Sequence, residues 1–211
     1  MFSRTTGYRH ASIPDGVAAI RALGAANGFA VTATEDPGAF TPAGLAGHQV
    51  VIWLSTSGDV LDAGQRDAFV SYIAAGGGFV GIHGAAATEY DWAWYGGLVG
   101  AHFDRHPAVQ PATVRVHDRS TDATSHLPEV WEHTDEWYDF RTDPRPAVRV
   151  LMTVDESTYE GGGMGADHPV TWCHDYEGGR SWYTALCHTA ESFADPAVAR
   201  MLLGGIRYAA G

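Results

Sequence analysis

The stretch GGGFVGIHGA, Gly76 to Ala85, decides the fold. Glycines lead into an apolar strand, and the strand stops at a histidine beside another glycine. This is the shape of a strand-to-helix elbow, the turn on which many α/β enzymes raise a nucleophilic Ser or Cys above a sheet. Here the raised residue is His83. Upstream, Asp62 to Ala75 has helical spacing with Phe69, Val70 and Ile73 inward, and VVIWLS (Val50 to Ser55) is the unbroken apolar run of a strand buried on both faces. Earlier still, Ile13 to Asn27 reads as a helix with Ser12 as N-cap and Gly28 as its stop. Phe29 to Thr34 reads as a short strand. Strand and helix alternating on this scale predict an α/β fold with a mainly parallel central sheet.

Downstream, the pattern changes. Thr88 to Asp104 is rich in Trp, Tyr and Gly. Strands are predicted at Val109 to His117, Val148 to Val154, Pro169 to His174 and Ser181 to Leu186, partly antiparallel, with a closing helix from Pro196 to Ala209. LPEVWEHTDEWYDF (Leu127 to Phe140) mixes aromatics, acids and histidine. No repeat or linker divides the 211 residues, so a single domain spanning 1–211 is expected.

Composition narrows the function. The net charge is −12 and all 13 cations are arginine, which argues against nucleic acid and anionic membranes as partners. The absence of lysine excludes Schiff-base and P-loop lysine chemistry. Two cysteines, Cys173 and Cys187, do not make a disulfide framework. No stretch reads as a membrane helix or secretion signal, so a cytoplasmic protein is expected. MFSRTTG reads as the end of a strand, and the chain is expected to begin inside its first strand. Eleven histidines and seven tryptophans suit a polar pocket with stacking walls. Ligands of open α/β sheets bind beyond the carboxyl ends of the strands. The loops after the first strand, after Ile82 and after Leu186 should converge there, and they carry His10, His83 and His188.

The motifs TTGYRHASI, GGGFVGIHGA, GAHFDRHP, HTDEWY, HPVTW and WYTALCHT together resemble the ThuA-like, trehalose-utilisation family across essentially the whole chain. The resemblance implies a flavodoxin-like three-layer sandwich similar to class I glutamine amidotransferases. Those enzymes carry a cysteine on the elbow and a histidine–glutamate pair after a late strand. Here the elbow holds His83, and His188 with Glu191 stands where that pair is expected. Without a thiol or hydroxyl on the elbow the acyl-enzyme route is absent. The family commonly has Gly where this chain has Cys187.

The resemblance also implies a small-molecule carbohydrate, trehalose or a related glucoside, as substrate. The expected chemistry is proton transfer by His83, His188 and Glu136, in a hydrolysis, elimination or isomerisation. Glu136 lies among aromatics that can raise a carboxyl pKa. Tyr8, Arg9, His10, His106, Trp137 and His168 are candidates for substrate binding. A second version of the enzyme holds a divalent metal (zinc, manganese or iron) on His83, His102 and His188. His48, His117, His126 and His174 read as surface or structural. Glu89, Asp91 and Trp92 form an aromatic loop that covers a ligand or packs on a second copy in a homo-oligomer. The alternative to an enzyme is a sugar-binding or assembly subunit on an amidotransferase-like scaffold.

Overall fold

A computed structural model describes all 211 residues. In chain order it contains α1 (Ile13–Asn27), α2 (Pro42–Leu45), β1 (Val50–Leu54), α3 (Ala63–Ala74), β2 (Gly78–Ile82) and α4 (Ala93–Val99). Then come β3 (Phe103–Arg105), β4 (Gln110–Val116), β5 (Val130–Asp135), β6 (Asp139–Phe140) and β7 (Arg149–Val154). β8 (Pro169–Tyr176), β9 (Gly179–Thr184), α5 (Ala190–Ala194) and α6 (Pro196–Ala210) complete the chain. A seven-stranded sheet runs β1-β2-β9-β8-β7-β4-β5, and β3 pairs with β6 separately.

The α/β, three-layer class stands, but the sheet is mixed rather than mainly parallel. Only β1–β2 and β2–β9 pair in parallel; the remaining pairs of the large sheet are antiparallel. One cause is local. Between β8 and β9 the chain reverses through Glu177 and Gly178, both at positive φ (45° and 100°). A two-residue turn of that kind closes a hairpin and leaves no room for a crossover helix.

Helices cover both faces. On one, α1 brings Gly16 against Leu54, and α6 brings Gly205 against Trp182, so closely that a Cβ at Gly205 would meet the indole at 2.5 Å. On the other, Trp53 of β1 stacks between Phe69 of α3 (5.5 Å) and Tyr95 of α4 (4.6 Å). All three rings are fully buried. Each contributes on the order of 2–3 kcal/mol of burial energy to this seam.

The first and second predicted helices form within a residue of their expected ends. Asp62 and Gln65 close a capping box on α3. Ser12 does not cap α1: its hydroxyl donates instead to the carbonyl of His188 at 2.6 Å, tying α1 to the last loop. The expected strand at Phe29 to Thr34 does not form. Only Phe2 bridges Thr34 and Trp53, so that run has a ladder partner at a single residue. The aromatic loop is anchored rather than free. Glu89 is fully buried and accepts the N–H groups of Val60 and Leu61, both at 2.8 Å, while pairing with Arg66. Trp92 lies stacked on Trp94.

Candidate functional site

β2 ends at Ile82, and His83 begins a 3₁₀ turn at φ +50°. A β-to-turn switch through a positive φ strains a non-glycine residue, and such strain clusters at functional positions. The neighbours are small for a reason. A Cβ at Gly81 would lie 2.9 Å from Tyr183, and one at Gly84 would crowd Ser55, Thr56 and His10 at 3.1–3.2 Å. The elbow backbone is held by the Tyr183 hydroxyl, which donates to the His83 carbonyl at 2.9 Å.

The His83 ring is completely buried. Its Nδ1 lies 2.6 Å from the Ala185 carbonyl, which can only accept, so Nδ1 carries the hydrogen and Nε2 presents its lone pair. That lone pair meets the end of β5 and the loop after β9. Nε2 is 3.1 Å from His188 Nδ1, 3.4 Å from Glu136 Oε2 and 2.9 Å from the Tyr138 hydroxyl. His188 Nδ1 is also 3.1 Å from Glu136 Oε2. His10 arrives from the loop before α1, its ring 4.6 Å from His83 and 5.2 Å from His188. One ligand atom each from His10, His83, Glu136 and His188 all fall within 4.8 Å of one another.

Asp135 aligns these parts. Fully buried, it accepts the backbone N–H groups of Cys187 (2.7 Å) and His188 (2.9 Å) and the hydroxyl of Ser192 (3.1 Å). One carboxylate thus clamps the loop after β9 onto the end of β5. Cys187 itself sits at φ +86°, the backbone conformation that suits glycine, and its thiol is buried. Burial and the nearby Asp135 push that thiol well above its ordinary pKa, so it is no nucleophile.

The charge states differ from the expectation for Glu136. Burial would raise its carboxyl, but the hydrogen bond from His188 prevails and lowers it to about 2. Glu136 is therefore a carboxylate, not a general acid. The same bond raises the His188 pKa against the opposing effect of burial. Burial, aided by repulsion from His188, lowers His10 to about 3 and keeps it neutral. The site therefore joins a neutral imidazole, an anion and a histidine with increased proton affinity.

Other expected residues fall in different places. His106 joins the cluster, with Nδ1 3.0 Å from Glu136 Oε1 and a half-exposed ring. Tyr8 stands at the rim, 69% exposed, edge-on to His10. A hollow of about 300 Å³ beside His188, lined by Tyr8, Ser12 and Thr189, opens there. A larger hollow of about 460 Å³ lies elsewhere, around Met1, Phe29 and Arg207. Arg9 is turned to the surface and paired with Glu35. Trp137 is buried in the core, its indole N–H on the Gln110 carbonyl, because it alternates with Glu136 and Tyr138 and takes the opposite face. His168 is fully buried and bonded to Tyr138, Glu156 and Tyr159, so it does not line the pocket. His102 lies outside the cluster, against Tyr90 and the Ala86 carbonyl. Glu191 is exposed on α5, and Glu136 takes its expected place beside His188. Tyr138, Asp135 and Ser12 were not expected as site residues. The signal for Tyr138 was parity, since residues two apart on extended chain share a face.

The ThuA family profile, described as trehalose utilisation, matches residues 1–209, and the chain belongs to that family. A ThuA-like protein from Bacteroides uniformis superposes with a TM-score of 0.83 at 25% identity, covering 99% of this chain and 89% of that one. A ThuA-like protein from Parabacteroides merdae gives 0.82 at 19% identity, covering 99% and 88%. A cytoplasmic protein from Salmonella typhimurium LT2 gives 0.66 at 12%, covering 92% and 86%, a likeness of fold alone. No curated protein matches the chain. No helix is long and apolar enough to cross a membrane.

Proposed function

We propose that this member of the trehalose-utilisation family carries out acid–base chemistry on a carbohydrate. The substrate class is trehalose or a related, including oxidised, glucoside, and the step is a hydrolysis, elimination or isomerisation. One observation carries the reading. The elbow presents a histidine whose Nδ1–H is committed to the Ala185 carbonyl, so its Nε2 lone pair is aimed at Glu136 and His188. A fixed tautomer with a directed lone pair suits a general base. His188, its proton affinity raised by Glu136, suits the complementary acid. The Glu136 carboxylate stabilises positive charge that develops on either ring. Tyr138 and His10 orient the acceptor, and His106 and Tyr8 contact the sugar at the open side. No thiol takes part. The family's link to sugar use supports the substrate class. A cytoplasmic location belongs to the same reading.

The test is a turnover screen of trehalose, other glucosides and their keto derivatives with wild type and His83→Ala, with folding checked by circular dichroism. Turnover lost in the folded variant is the expected result. Sugar binding without turnover, indifferent to His83→Ala, would contradict it and identify a non-catalytic sugar-binding subunit instead.

A further inference from the structure

We infer that His10, His83, His188 and Glu136 form a mononuclear site for a divalent transition-metal ion. The first support is distance. Bonds of about 2.0–2.2 Å to nitrogen and oxygen place neighbouring donors roughly 2.9–3.5 Å apart around an ion. His83 Nε2, His188 Nδ1 and Glu136 Oε2 form a triangle with edges of 3.1, 3.4 and 3.1 Å, which already meets that requirement. His10 supplies a fourth donor within the same 4.8 Å sphere.

Hydrogen bonding gives the second support. With its hydrogen on Nδ1, His83 has a single lone pair at Nε2, yet the Tyr138 hydroxyl and His188 Nδ1 both converge on it, and Glu136 Oε2 confronts it as a second acceptor. No placement of hydrogens satisfies every one of these contacts. A cation at their centre accepts all three lone pairs. His10 Nδ1 is buried without any partner, which protein hydrogen bonding leaves unexplained.

The surroundings have the form of an outer shell. Metal-bound histidines usually donate their other N–H to a carbonyl or carboxylate, which fixes the ring. His83 does so to Ala185, Asp135 fixes the His188 backbone, and His106 holds the second oxygen of Glu136. Imidazoles with one carboxylate favour zinc, manganese, iron or cobalt over calcium and magnesium, which prefer oxygen ligands. His188 is the partly exposed donor and lines the hollow at Tyr8, so the ion would be reached from that side. With His83 Nε2 and His188 Nδ1 committed to the ion, the ion rather than those rings would polarise sugar oxygens that reach it from there; that use rests on the proposed carbohydrate substrate, whereas ion binding does not.

The experiment is elemental mass spectrometry of untagged protein, incubated with zinc, manganese, iron(II) or cobalt(II) and then desalted. Wild type, His83→Ala, Glu136→Gln and His168→Gln are compared, each checked for fold by circular dichroism. Wild type and His168→Gln should retain about one ion per chain. His83→Ala should bind at least 100-fold more weakly; should it not fold, Glu136→Gln carries the test with a loss of 10-fold or more. Cobalt(II) should give a visible absorption band in wild type that both ligand variants lack. Absence of retained metal with every ion, or retention unchanged in the folded variants, overturns the inference. A retained ion without sugar turnover supports this site and defeats the catalytic reading. Turnover by protein that retains no ion in any incubation overturns the site and leaves that reading standing.

Discussion

Two groups of histidine and carboxylate meet at Tyr138. At its hydroxyl lie His10, His83, His188 and Glu136; at its carbonyl lie His168, Asp139 and Glu156. Both bring potential metal ligands within 4.8 Å of one another. Their hydrogen-bond economy differs. His168 donates from Nε2 to the Tyr138 carbonyl at 2.8 Å, and its Nδ1 meets Glu156 at 2.9 Å and Tyr159 at 3.0 Å. Glu156 also accepts the Met164 N–H, while Asp139 accepts that of Gly163 and pairs with Arg105. The histidine of that group is fully bonded, and its one oxygen without a hydrogen bond, Asp139 Oδ2, is balanced by the Arg105 guanidinium at 2.9 Å. The elbow group keeps an unpartnered His10 nitrogen and converging lone pairs next to an opening. Residue type alone does not make a site; unspent bonding capacity with access does.

Breaking each group should therefore have a different consequence. His83→Ala should lower sugar turnover about 10³-fold, the loss of a positioned proton-transfer group, with the fold intact. His168→Ala should do the reverse. It strands Glu156 and the Tyr138 carbonyl, and should reduce unfolding free energy by about 3 kcal/mol in urea titrations while ion retention persists.

The clamp between β5 and the His188 loop sharpens the contrast. Asp135→Asn should cost about 2 kcal/mol, because an amide N–H₂ would face the Cys187 or His188 N–H. Burial would raise the Asp135 carboxyl, but hydrogen bonds from His133 and from backbone N–H groups hold it below its ordinary value. A depressed folded pKa contributes stability above the unfolded value of about 3.9, lost as pH falls through the folded one. Wild type should lose stability there relative to Asp135→Asn, flattening the difference between them in acid. The smallest effect is expected at Cys187, where φ is +86°. Cys187→Gly should be neutral to stabilising by about 1 kcal/mol, read from the midpoint of thermal unfolding.

Much of this was legible from local patterns. The apolar runs located α1, α3 and β2, Gly28 marked the end of α1, and the glycines around His83 revealed the elbow. The three loop histidines met as the rule of strand carboxyl ends predicts. What stayed hidden depends on contacts distant in sequence. The charge of Glu136 is set by His188, which reaches it only because Asp135 holds a loop more than fifty residues away. Trp137 and Tyr138 are adjacent aromatics between β5 and β6, and only alternation along that connecting segment sends one to the core and the other to the site. His168 and His10 are alike in sequence as histidines in loops. Their partners alone separate a structural ring from a functional one.

The most direct measurement is anomalous diffraction from crystals grown with zinc or manganese, recorded on both sides of the metal's absorption edge. The account predicts a single strong peak about 2.0–2.2 Å from His83 Nε2, His188 Nδ1 and Glu136 Oε2. No peak at the elbow, or one among Asp139, Glu156 and His168 instead, would contradict it.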